Sequence, residues 1–80
     1  MAKFFATCSG IDNQGKFVRQ SKDFSAKNTI EATMQAGPVA VDELIQEHNI
    51  VNGQFWIKER TGFLGRNEMT RASGSIGDTS

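Results

Sequence analysis

Apolar and polar positions alternate at the start of this chain, then recur at helical spacing, then alternate again. Residues 3–11 (Lys-Phe-Phe-Ala-Thr-Cys-Ser-Gly-Ile) read as a strand, followed by the polar turn Asp12-Asn13-Gln14-Gly15 and a returning strand over 16–24. The pattern predicts a β-hairpin, because the turn ends in the residue that tolerates positive φ. Asn28-Thr29-Ile30-Glu31 then places an N-cap three residues before a Glu, the arrangement that satisfies orphan backbone donors. A helix is expected from Thr29, with Ile30 and Met34 one turn apart on its inner face. Gly37-Pro38 interrupts it, and Val41, Leu44, Ile45 and His48 recur at i, i+3, i+4 and i+7, predicting an amphipathic helix over about 38–48. The middle of the chain is therefore a kinked helix or two short ones.

Asn52-Gly53 reads as a turn and residues 54–60 (Gln-Phe-Trp-Ile-Lys-Glu-Arg) as a third strand. Thr61-Gly62 offers another turn, which would bring Phe63-Leu64 back as a short fourth strand. From Thr70 the chain is rich in Ser, Gly and Thr and reads as a disordered tail. The expected organisation is one domain over 1–69 and a tail over 70–80. Its fold class is α+β, a small antiparallel sheet with the helix on one face. If the helix runs as a single rod, the third strand lies beside the first, for a sheet order of 2-1-3; if Gly37-Pro38 folds the helix back, that order fails.

Strand alternation assigns faces. Phe4, Ala6, Cys8, Val18, Phe55 and Ile57 belong to the side covered by the helix. Phe5, Phe17, Arg19, Trp56, Lys58 and Arg60 then share the open side, as an exposed patch of aromatics among cations. Two partner classes suit such a patch. One is a protein, since Trp, Phe and Arg dominate interface cores. The other is a single-stranded nucleic acid, whose bases stack on aromatics while cations follow its phosphates. Gly62-Phe63-Leu64-Gly65-Arg66 adds an apolar pair flanked by glycines, with the form of either a hairpin return or a plug for a pocket in another protein. Phe63, Leu64 and Arg66 therefore join the candidate partner-binding residues.

Charge changes the picture. The formal net charge is zero, which excludes a basic nucleic-acid coat or an acidic mimic of one. The zero hides a division. Residues 1–27 carry +3, residues 28–49 carry −4 from Glu31, Asp42, Glu43 and Glu47, and residues 50–80 carry +1. Asp42, Glu43 and Glu47 read as a solvated helix face. Cys8 is the only Cys and His48 the only His, so one chain holds no disulfide and no Cys/His zinc cage. A free Cys fits a reducing compartment, and neither an apolar stretch of membrane-crossing length nor a secretory leader is legible, so the expected location is cytoplasmic. Cys8 falls mid-strand on the core face and His48 near a helix end, so no catalytic constellation, metal site or cofactor site is expected.

In size, scarcity of Cys and His, and strand–strand–helix–strand order, the chain resembles small phage-encoded proteins that disable bacterial machinery, namely anti-CRISPR proteins and phage inhibitors of host RNA polymerase. The Lys3-Phe4-Phe5-Ala6-Thr7 opening, the hairpin and the capped helix carry the resemblance in outline over residues 3–60. It transfers no functional residue, and the neutral charge departs from the DNA-mimicking members of those groups. The resemblance implies a non-enzymatic inhibitor that occludes a site on a larger host protein or ribonucleoprotein in the bacterial cytoplasm. A single-stranded nucleic-acid binder is the alternative, and a second copy of the chain is a further candidate partner.

Overall fold

The computed structural model describes residues 2–77. One helical run lies against one face of a four-stranded antiparallel sheet of order β2-β1-β3-β4. The strands are β1 (Ala2–Asp12), β2 (Phe17–Ala26), β3 (Ile50–Thr61) and β4 (Asn67–Ile76). The class is the expected α+β, and the order over the first three strands is the one a single rod requires.

Local chemistry explains the first elements. In the β1–β2 turn, Asp12 Oδ1 accepts the backbone N–H groups of Gln14 and Lys16 at 2.8 and 2.9 Å. The Lys16 N–H first, and the Gln14 N–H next, hold the Asp12 carboxyl below its ordinary value by stabilising the anion. The helix starts where the sequence places it. Asn28 Oδ1 accepts the Glu31 N–H at 2.8 Å, and Glu31 Oε1 accepts the Lys27 N–H at 3.1 Å, so both partners of the cap satisfy backbone donors.

The helical run then passes through α1 (Thr29–Glu31), a π-helical turn over Ala32–Ala36 and α2 (Gly37–His48). The Gly37 N–H donates to the Ala32 carbonyl five residues back. Pro38 has no N–H for the preceding turn and its ring would crowd a regular helix there, and the wide turn relieves both problems. So Gly37-Pro38 neither splits the rod nor reverses it.

The wide turn also shifts the helix phase. Extending the buried stripe of Gly37, Ala40, Val41 and Leu44 back by regular spacing would reach Met34, but π spacing reaches Ala32. Ala32 is fully buried, whereas Ile30 and Met34 are 70% and 74% exposed. Their expected place on the inner face is corrected. α2 packs on β1, β2 and β3, over a core of Ala6, Cys8, Val41, Leu44, Ile50 and Ile57, with Val18, Phe24 and Phe55 against it. A second small core joins Phe4, Ala26 and Ala32, where the Phe4 and Phe24 rings stack at 5.7 Å.

Three further expectations are corrected. Asn52-Gly53 lies within β3, and the chain reverses earlier, at Asn49, which takes a left-handed conformation (φ 54°) after α2. Phe63-Leu64 is not a strand; Phe63–Gly65 form a single tight turn between β3 and β4. Residues 70–76 are not a disordered tail but most of β4, paired with β3 from Asn67 to Ile76, while positions 78–80 lie outside the described residues. This strand escapes hydropathy because the space above it is already filled: a β-carbon on Gly74 would sit 2.6 Å from the Phe55 ring, so the inward position takes no side chain.

At Gly37 the helix lies close on the sheet, since a β-carbon there would press on the Ala32 carbonyl and on Ile57 Cδ1. Gly37→Ala is expected to cost about 1–3 kcal/mol through overpacking, despite the better helix propensity of Ala. Urea unfolding followed by circular dichroism checks this, and an unchanged or raised midpoint would contradict the tight approach.

Candidate functional site

Register places the candidate residues. Across the sheet, Phe5 pairs with Asp23 and Lys58, Thr7 with Ser21 and Trp56, and Ser9 with Arg19 and Gln54. On β4, Ser73 lies beside Trp56 and Glu68 beside Arg60. Side chains directly opposite one another share a face. Phe5, Phe17, Arg19, Trp56, Lys58 and Arg60 therefore stand together on the face opposite the helix. Phe63, Leu64 and Arg66 do not join them; they lie in the β3–β4 connection at one end of the sheet.

The open face is sealed by its own side chains. Arg60 lies over the Phe5 ring at 4.4 Å and Lys58 reaches 6.0 Å from it, leaving Phe5 only 6% exposed. The expectation that Phe5 presents itself to a partner is corrected. Long cationic side chains laid flat on a ring exclude water while their charged ends stay wet. Trp56 is half-buried, with the Arg19 guanidinium 5.7 Å from its ring. Thr7, beneath this layer, is buried and shares a 2.9 Å hydrogen bond with the Ser21 hydroxyl. At the hairpin end, Phe17 is 68% exposed and Ile11, its register partner, is also exposed.

Carboxylates missed by sequence reasoning complete the face. Arg60 lies 3.5 Å from Asp23 and 3.9 Å from Glu68, and Lys58 lies 4.0 Å from Glu68. Asp23 was within reach, since it has the same strand parity as Arg19. Glu68 was not, because its strand was unrecognised. Arg19 has no carboxylate partner among the described residues. Beside Trp56, a shallow polar depression is bordered by Gln54, Ser73 and Ser75. The opposite, helix-bearing side is acidic, and there Lys22 joins Glu43 at 2.8 Å and Glu47 at 3.5 Å.

Comparison with known proteins adds no relative: no family model, no curated protein and no solved structure matches the chain. No helix among the described residues is long and apolar enough to cross a membrane.

Cys8 has the surroundings of a core residue. It is fully buried, with its Sγ 4.0 Å from the Val41 carbonyl. Burial first, and the Asp42 carboxylate second, push its thiol up from 9.0 to about 11. A thiol that stays protonated in the fold, while the unfolded chain ionises, contributes stability that is complete below pH 9. That contribution is lost as pH rises from about 9 to 11, by up to about 3 kcal/mol. Lys22, raised above its ordinary value chiefly by Glu43, gives up its ion pairs in the same direction as pH rises. The wild-type urea midpoint is therefore expected to fall across this window, and that of Cys8→Ala to fall less steeply. Parallel profiles would show that the thiol is not the titrating group.

Proposed function

We propose that this chain is a non-enzymatic protein-binding module that uses its open sheet face to occlude a site on a larger protein or ribonucleoprotein. The observation that carries the reading is the make-up of that face. No described element covers it, Trp56 lies half-buried at its centre under Arg19, which has no carboxylate partner among the described residues, and Phe17 and Ile11 are exposed at its end. An aromatic anchor with a guanidinium beside it, ringed by hydroxyls and an amide, is the composition of an interface core with a polar rim.

Charge favours a protein over a nucleic acid. A strand of phosphates needs cations free to meet it, whereas Lys58 and Arg60 are engaged with Asp23 and Glu68. A protein partner instead tolerates paired, two-signed charge, which orients docking. The resemblance in size and element order to phage-encoded inhibitors, anti-CRISPR proteins among them, makes the bacterial cytoplasm the place to look for the target.

Affinity capture from bacterial lysate, with mass spectrometry of the retained proteins, identifies the target. Binding of the purified target is then compared across variants. Trp56→Ala, and Phe17→Ser combined with Arg19→Glu, are each expected to weaken binding at least tenfold, about 1.4 kcal/mol or more, with the far-UV spectrum and a cooperative unfolding transition retained. Folded variants that bind as well as wild type would overturn the choice of face. Titration with labelled single-stranded oligonucleotides at two salt concentrations is expected to give no salt-sensitive binding; tight binding that weakens as salt rises would replace this reading with nucleic-acid recognition.

A further inference from the structure

The helix leaves part of its own side of the sheet uncovered. Between α2 and β4 runs a groove of about 450 Å³, walled by Pro38, Val41, Ile45, Phe55, Ala72 and Ile76, with Asp42 on its rim. At the far end of the β3–β4 hairpin stands the opposite shape. Phe63 is 84% and Leu64 74% exposed, on a turn closed by a 3.2 Å bond from the Gly65 N–H to the Gly62 carbonyl. Leu64 is held at φ 61°, a conformation that a side chain of its kind rarely adopts. A strained apolar residue aimed at water is a feature that needs a use.

Three observations point to the same occupant for the groove. The first is fit: one molecule carries both an apolar tip and an apolar groove. The second is charge: Arg66 follows the tip, Asp42 stands on the groove, and neither has an ion-pair partner among the described residues. The third is the sheet edge between them. β2 and β4 are the two outer strands. β2 carries Arg19, Lys22 and Asp23 along its length, which guards an edge against pairing, whereas β4 has its charges, Glu68 and Arg71, in its first half and none over residues 72–76 (Ala-Ser-Gly-Ser-Ile).

We infer that the groove receives the Phe63-Leu64 tip of a second copy of this chain, in a twofold dimer whose β4 edges lie side by side. Antiparallel alignment sets the start of one β4 against the end of the other. The tip, just before the start of β4, then meets the partner's groove where Ile76 and Gly77 line it. Arg66 approaches the partner's Asp42. The twofold makes each contact twice, so the association closes at two copies and does not propagate. The groove and the tip are separate from the open sheet face, and the β4 edge only borders it at Ser73 and Ser75. The variants below touch neither serine, so the inference stands or falls independently of the function proposed above.

Light scattering and sedimentation equilibrium over a concentration series test it. Wild type is expected to be dimeric, and the double variant Phe63→Asp/Leu64→Asp to dissociate at least about 100-fold more readily. Its far-UV spectrum should be unchanged, since both side chains are exposed in the monomer. Asp42→Lys and Arg66→Glu should each weaken the dimer, and their combination should recover it. A wild-type chain that is monomeric at roughly millimolar concentration overturns the inference. So does a dimer indifferent to the tip variant, or a double reversal that fails to recover association.

Discussion

A sheet has two faces, and the described residues supply a single helical run to put on them. With its core clusters on the helix side and a small margin of stability, the uncovered face has to be kept from being a greasy plane by other means. The means is lateral: Arg60 and Lys58 lie down across Phe5, and Arg19 across the Trp56 ring. Arg60 and Lys58 are then tethered from the side by Asp23 and Glu68. Each exposed ion pair is worth little alone, but together they hold the methylene stems where they exclude water. The face is thereby ordered before any partner arrives, which lowers the entropic cost of docking on it.

The same scarcity of covering elements shapes the helix side. α2 sits toward β1, β2 and the near side of β3, and its grip depends on small residues: Ala32, Gly37 and Ala40 are buried at the contact. Closeness there leaves β4 to one side. Groove, hairpin tip and bare edge strand thus share one origin, an element too narrow for the sheet beneath it.

Much of this was legible in the chain itself. The hairpin, the Asn28 cap and the buried side of each central strand follow from local rules: an Asx turn, a side-chain acceptor for orphan N–H groups, and an alternation of two. Two features resisted for physical reasons. Helical periodicity assumes a constant 3.6 residues per turn, so it carried the inner face straight through to Met34 and Ile30, although Pro38 forces a wider turn that brings Ala32 inward. Hydropathy assumes that a strand supplies its own apolar bulk, so it discarded β4, whose inward Gly74 is covered by the Phe55 ring from the neighbouring strand. The candidate site was read correctly as to face and incorrectly as to wetness at Phe5, because alternation gives direction but says nothing of what a neighbouring arginine does with its length.

The wide helical turn has a consequence for how this chain tolerates change in length. Deleting one residue between Thr33 and Ala36 would turn the rod into regular helix with Ala32 still inward, because Ala32 would then stand four residues before Gly37, one regular turn away. Asn28 and Glu31 would still cap, since they travel together. Straightening the turn at full length is the damaging change: regular spacing would bring Met34 beneath the rod where Ala32 now lies, and its bulk would prise the two layers apart at the point where Ile57 meets Gly37. The wide turn thus absorbs one extra residue while the two halves of the rod keep the same face on the sheet.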